Sequence, residues 1–373
     1  MACADEECPR LCGGSGRIGS DCDKKPWVES ELKWNHKGKT ITCSTIELGC
    51  GAYGRVFEGK IDGEPVAVKV SRPHFLHQAR NEAEIVGLFE DEPSIAKITL
   101  MFTTSNGYRL DHPVTVMPLY GVNFLTEYRR WRREEGKVPW TVFRCLLLDV
   151  SRALDAVARQ QLSHLDVKPE NIMRKSLNLD REPQYVLGDF NCAKRHCRLL
   201  PISQDIYVVS RYYRPPEVIL QCQSASARPE TNPRIDVWSF GSMLPEVLTG
   251  MPIFCPTKAS SKSTLLVIAR VLGTPPQAML DDHWKNFYCC PRTSKHCIRD
   301  GFMGEVRLSG SYDGQFNTLH DIVDRAEELY GRTEGQVMQQ IWDMTLRYNW
   351  WERATPCAMH KKLVDLLKTE DRA

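Results

Sequence analysis

The stretch His164-Leu165-Asp166-Val167-Lys168-Pro169-Glu170-Asn171 sets a carboxylate, an ammonium and an amide at relative positions 0, +2 and +5. Packing does not call for that order of polar groups, and Pro169 argues against an ordinary helix through them. The set suits phosphoryl transfer to a hydroxyl. Asp166 takes the hydroxyl proton, Lys168 neutralises charge on the moving group and Asn171 holds a metal. Further on, Gly188-Asp189-Phe190-Asn191 follows the short apolar run Tyr185-Val186-Leu187. Asp189 there offers the hard carboxylate oxygen that Mg²⁺ favours. The rival is a loop whose polar residues are coincidental, and it weakens as more elements appear in order.

Upstream, Gly49-Cys50-Gly51-Ala52-Tyr53-Gly54-Arg55-Val56 spells G-x-G-x-x-G-x-V. Dinucleotide folds use the same glycines, but there they lead into a helix. Here a strand-like run, Arg55 to Gly59, comes next, then a turn and a second strand. Glycines between two strands form a flap whose backbone N–H groups can approach phosphate oxygens, because no Cβ intervenes. A plain glycine hairpin is the alternative. Lys69 lies inside the apolar run Val66-Ala67-Val68-Lys69-Val70. Buried there, it needs anionic partners. Glu82 on the following helix is the first choice. Glu84 is the runner-up, about 200° around that helix, so both cannot face Lys69.

These groups need elements to carry them. The Asp62-Gly63 turn between two apolar runs predicts a hairpin, and Ile85, Val86 and Phe89 predict a helix near 76–90 that stops before Pro93. Cys145, Leu146, Val150, Leu154 and Val157 predict a longer one from Val142 to Val157. The composition shifts from strand-rich (41–118) to helical at Pro118 and Gly121, the expected hinge. Residues 1–40 read as a flexible tail. Its Cys3, Cys8, Cys12 and Cys22 lack the paired C-x-x-C of zinc modules.

The 373 residues are 42% hydrophobic and 26% charged, enough to bury a core of two domains or two lobes. With 49 Lys+Arg against 47 Asp+Glu, the net charge of +2 gives no global field for nucleic acid or anionic lipid. No run approaches the roughly 18 apolar residues of a membrane span. The start, MACADEEC, lacks an apolar core for a signal peptide, and Ala2 stands where myristoylation needs Gly. The fifteen scattered cysteines read as reduced thiols. The expectation is a soluble cytoplasmic or nuclear protein, monomeric, with no membrane and no direct nucleic-acid partner.

Taken together, these motifs resemble a eukaryotic protein kinase over roughly residues 41–368. The resemblance implies an α+β bilobal fold: a β-rich N-lobe with one main helix (41–118) and a larger helical C-lobe (119–368). It implies Mg-ATP as phosphoryl donor and Ser/Thr hydroxyls of proteins as acceptors. Gly49, Cys50, Gly51, Tyr53 and Gly54 would cover the phosphates. Leu48, Val56, Ala67 and Met173 would sandwich the adenine, with Met117 as gatekeeper and the backbone of Pro118 and Tyr120 meeting the base. Lys69 and Glu82 would pair, Asp166 and Lys168 would serve catalysis, and Asn171 and Asp189 would hold the metal.

Pro215-Pro216-Glu217 looks like the end of an activation segment (189–217), with Arg353 as the partner of Glu217. Asp236-Val237-Trp238-Ser239-Phe240-Gly241 looks like the helix that anchors the catalytic loop. Lys168 resembles serine/threonine rather than dedicated tyrosine kinases. The run Tyr207 to Glu217 and the stretch of about 274–335 resemble the CMGC group, where proline-directed and arginine-rich specificities both occur. Leu165, where most kinases have Arg, points within that group toward dual-specificity tyrosine-regulated, homeodomain-interacting, CLK or SR-protein kinases. The resemblance also implies that Tyr207, autophosphorylated, is held by Arg211 and Arg214. Asp205 stands where others carry a phosphothreonine, so that phosphate and its arginine clamp are absent together.

Asn191 replaces the usual Gly after Asp-Phe and is expected to accept a positive φ. The same substitution leaves open a pseudokinase, a scaffold that binds nucleotide without turnover. Arg129, Arg130, Arg132 and Arg133 suggest a nucleic-acid or import patch, or the polar side of an amphipathic helix with Phe124, Tyr128 and Trp131 on its apolar face; the helix is preferred. His283, Cys289, Cys290, His296 and Cys297 fit no common metal module. Cys50 and Cys192 should border the nucleotide, where Lys69 or a metal could activate a thiol, with inert packing as the default.

Overall fold

The structure, a computed structural model, describes residues 30–51, 53–104, 112–178, 182–196, 209–221, 231–256, 261–276 and 318–368. The N-terminal cysteines, Asp205, Tyr207 and the His283–Cys297 group lie outside them.

Six strands form one antiparallel sheet in the order β1-β2-β3-β4-β6-β5. They are β1 (Leu32–His36), β2 (Lys39–Cys50), β3 (Gly54–Ile61), β4 (Glu64–Ser71), β5 (Leu100–Thr104) and β6 (His112–Pro118). The β3–β4 hairpin turns at Asp62 and Gly63, both with positive φ (51° and 93°), and pairs Ile61 with Glu64. The tail expected over 1–40 ends sooner, because β1 pairs with β2 through a turn at Lys37 and Gly38. Leu32 and Trp34 alternate with polar neighbours and pack on the sheet's core of Ile41, Cys43, Phe57, Val68, Val114 and Val116. That is ordinary half-buried strand chemistry. Helix α1 (Leu76–Gly87) buries Ala79, Glu82, Ile85 and Val86.

After β6 come α2 (Phe124–Glu135), α3 (Trp140–Arg159), β7 (Leu162–Ser163), β8 (Ile172–Arg174), β9 (Tyr185–Leu187) and β10 (Lys194–Arg195). Then follow α4 (Pro216–Gln221), α5 (Arg234–Thr249), α6 (Ser261–Leu272), α7 (Leu319–Tyr330), α8 (Arg332–Thr345) and α9 (Pro356–Lys368). Short two-stranded ribbons, β8 with β9 and β10 with β7, stand beside the helices. Asn123 caps α2 by accepting the Thr126 N–H, and Gly136 ends it in a left-handed turn.

The basic run is the outer side of α2. Phe124 and Tyr128 are fully buried, and Trp131 packs against the same core. Arg132 donates to the carbonyls of Leu248 and Thr249, so it caps the carbonyl end of α5. Among the described residues, no helix is long and apolar enough to cross a membrane.

Helix α5 is buried along nearly its whole length. It accepts a close neighbour at Gly241, where a Cβ would stand 2.2 Å from Thr345 Oγ1. Near its start, Arg353 grips Glu217 with two hydrogen bonds of 2.6 and 2.7 Å, both residues buried, as expected. A bidentate pair of this kind offsets its own desolvation only when its geometry is good.

Candidate active site

The loop after β7 is fixed from below. Asp236, on the first turn of α5, accepts the His164 N–H at 2.7 Å and the Leu165 N–H at 2.8 Å. Leu165 adopts φ +64°, an uncommon conformation for a branched residue. Its side chain is fully buried with Val209, Val218 and Ile235. Burial pushes the Asp236 carboxyl up to about 7, and the two N–H donors pull the other way. His164 lies 3.0 Å from the Gly188 carbonyl through Nε2, while its Nδ1 accepts the Asp166 N–H. That fixes one neutral tautomer, and burial lowers the imidazole's pKa to match.

Asp166 is thereby presented in a cluster. Its Oδ2 accepts Lys168 Nζ at 2.7 Å and Asn171 Nδ2 at 3.0 Å, and its Oδ1 accepts the Ser210 hydroxyl at 2.7 Å. Lys168 also reaches Ser210 Oγ at 3.1 Å. Asn171 Nδ2 makes a second bond, to the Asp166 carbonyl, so the atom of this side chain that could hold a metal is the amide oxygen.

On the opposite side, Lys69 Nζ stands 3.0 Å from Glu82 and 3.4 Å from Asp189 Oδ1. Glu82 is thus the partner and Glu84 is not. Burial disfavours the charge on Lys69, but the carboxylates of Glu82 and Asp189 outweigh it and hold the ammonium above its usual value. Burial likewise opposes ionisation of Asp189. The ammonium groups of Lys69 and Lys168 reverse that and keep it a carboxylate.

Phe190 is sealed between His164 (ring centroids 4.6 Å apart) and Phe89 (5.9 Å). The positive φ expected at Asn191 is not there. The positive φ falls on Asp189 (+62°), whereas Asn191 lies in the 3₁₀ turn Phe190–Cys192 without one. Asn191 instead donates its side-chain amide to Asp189 Oδ1.

The glycine flap joins β2 to β3, with Gly49 opposite Val56, Cys50 opposite Arg55 and Gly51 N–H on the Gly54 carbonyl. Space above Gly49 and Gly51 is open. Gly54 answers to packing, since a Cβ there would sit 2.3 Å from the Val70 carbonyl. Tyr53 turns inward, its hydroxyl 3.4 Å from Cys192 Sγ and its ring edge-on to Phe75. Burial pushes the Cys192 thiol up to about 12, the opposite of an activated thiolate.

Ala67 and Met117 are cross-strand partners on β4 and β6, as are Val66 and Pro118. Leu48 lies exposed on β2. Met173 is on β8, its methyl against Gly188. Arg214 is buried, and its Nε and Nη2 both donate to the Val209 carbonyl. Arg211 opens the 3₁₀ turn Arg211–Tyr213, and their expected partner Tyr207 lies outside the described residues.

Two residues had no role from the motifs, Ser210 and Val209. Both lie in the quoted Tyr207–Glu217 run, but only the fold shows that it returns to Asp166.

Residues 44–362 match the protein kinase domain family. The chain belongs to that family. Relatives of the chain include protein kinase gsk31 of Schizosaccharomyces pombe, 28% identical over 64% of this chain and 59% of that protein. Dual specificity tyrosine-phosphorylation-regulated kinase 3 of Rattus norvegicus is 26% identical over 63% of this chain and 38% of its own length. Dual specificity protein kinase YAK1 of Saccharomyces cerevisiae is 30% identical over 63% of this chain and 27% of its own length. The chain therefore spans less than two thirds of each of these relatives, which agree with the CMGC resemblance.

Proposed function

We propose that the kinase transfers the γ-phosphoryl group of Mg-ATP to serine or threonine hydroxyls of proteins, with proline directly after the acceptor. The observation that carries the transfer is a pair of clusters, Lys69 with Glu82 and Asp189, and Asp166 with Lys168 and Asn171, joined where the N–H of Gly188, next to Asp189, donates to the Asn171 carbonyl at 2.8 Å.

In this reading Asp166, oriented by three donors, receives the proton of the substrate hydroxyl. Lys69 and Lys168 hold positive charge beside the phosphoryl oxygens, and the glycine flap covers them. The base lies between Leu48, Val56, Ala67 and Met173, beside Met117, and meets the backbone of Pro118 and Tyr120. The Pro118 carbonyl is available even though proline has no N–H. Asp189 and the Asn171 amide oxygen are hard donors that fit Mg²⁺. The ion would supply charge neutralisation at the phosphates. Positioning and fixed charge then account for most of the acceleration.

Val209 supports proline over arginine-rich targets. It borders Ser210 and adopts φ +71°, strained for a β-branched residue. Its carbonyl already accepts two Arg214 donors. A substrate residue packed there finds no acceptor for an N–H, and proline has none to satisfy.

Autophosphorylation of Tyr207 belongs to the same proposal, supported by the spacing of Arg211 and Arg214, as does work as a monomer in the cytoplasm or nucleus. Phosphorylation of matched Ser-Pro, Ser-Ala and Pro-Ser peptides tests it. We expect Ser-Pro to be favoured by at least roughly tenfold in kcat/KM. Asp189→Asn should weaken Mg-ATP, and mass spectrometry should find phosphate on Tyr207. Equal rates on all three peptides would remove the proline assignment. ATP binding without transfer to any protein would favour a scaffold instead.

A further inference from the structure

Residues 88–99, between α1 and β5, touch both halves of the site. On one side the Ala96 N–H donates to the Leu187 carbonyl and the Leu187 N–H to the Ser94 carbonyl, both at 2.9 Å. Leu187 lies two residues before Asp189. On the other side the Tyr120 hydroxyl accepts the Lys97 N–H at 2.9 Å. The Tyr120 side chain therefore turns away from the base that its backbone would meet. Lys97 Nζ bonds the carbonyls of Phe89 and Glu92, and the Phe89 ring lies against Phe190, the neighbour of Asp189. Thr99 N–H then bonds the Val116 carbonyl, next to Met117.

One short segment thus runs from the strap at Pro118–Tyr120 to the strand and aromatic ring that set Asp189. Lys97 is bonded into this segment through both its main chain and its side chain.

We propose that Tyr120 is a positioning residue whose hydroxyl couples occupancy of the Pro118–Tyr120 strap to the alignment of Asp189 through residues 88–99. The coupling rests on the assignment of that strap to the base. Coupling between sites requires an element that both of them bias, and this segment is bonded to both.

The test compares full-length wild type with Tyr120→Phe, which keeps the ring and removes the bond. Adenosine, which carries no phosphate, should slow hydrogen exchange at the Ala96 and Leu187 amides in wild type, and much less in Tyr120→Phe. Adenosine affinity should change by less than about twofold, whereas kcat with Mg-ATP falls by about fivefold, the size of one lost hydrogen bond. A role in stability alone would lower the melting temperature and leave both the exchange response and this split untouched. Equal adenosine responses in the two proteins would overturn the coupling, as would adenosine and Mg-ATP affinities weakened by one common factor. If wild type binds adenosine yet transfers no phosphoryl group, the proposed function fails, and the exchange comparison still decides the coupling.

Discussion

Leu165 occupies the position where a charged clamp would stand, and its surroundings have no place for one. It is fully buried among Val209, Val218 and Ile235, with φ +64° turning its N–H and that of His164 toward Asp236. Val209 and Val218 are therefore held against the Asp166 loop here by apolar contact. Leu165→Arg would bury a guanidinium in that cluster, and we expect destabilisation of roughly 3 kcal/mol or more. Urea unfolding checks this, and a midpoint within error of wild type would contradict it. At this scale residue types were legible, because Asp166, Lys168, Asn171 and Asp189 announce themselves by chemistry and order. Conformation was not. Asn191 suggested a positive φ, yet the strain sits on Asp189, and the asparagine contributes a hydrogen bond.

Among the elements, α2, α5 and the Arg211–Tyr213 turn meet on one buried carboxylate. Glu246 accepts the hydroxyls of Tyr128 at 2.5 Å and Tyr213 at 2.6 Å. Burial pushes it from 4.5 up to about 7; the two tyrosines and Arg129 lower it, and Glu170 raises it. The sign follows from linkage. A carboxyl whose folded pKa is raised binds its proton more tightly in the native state, so its contribution is full below about 4.5 and is lost as pH rises through 7. Glu246→Gln cannot lose that proton. Relative to wild type it should gain stability between about pH 5 and 7.5, by up to roughly 3 kcal/mol. Paired denaturation curves across that range check it, and a pH-independent difference would contradict it. Hairpins and amphipathic helices were readable from periodicity, including α2, whose arginines face outward or cap α5. Strand β1 was missed because five residues after a glycine-rich stretch give little signal until β2 pairs with them.

For the molecule as a whole, what the sequence could not display is distance. Lys69 lies 13 residues from Glu82 and 120 from Asp189, yet touches both. Glu217 and Arg353 close a gap of 136. Order along the chain suggested such meetings through family resemblance, whereas the sheet, the buried α5 and the loop it anchors bring them about physically. Ser210 and Val209 acquire a role only at this scale, since neither residue type predicts that its segment returns to Asp166.

In the proposed function these groups act on one nucleotide and one hydroxyl. Its most direct test is transfer of radiolabelled γ-phosphoryl from ATP to a Ser-Pro peptide by wild type and Asp166→Asn, with ATP affinity measured on both. Wild type should label the peptide, and the variant should bind ATP within about threefold yet transfer roughly a thousandfold more slowly. A wild-type chain that binds ATP and labels nothing, or a variant that transfers at the wild-type rate, would contradict the account.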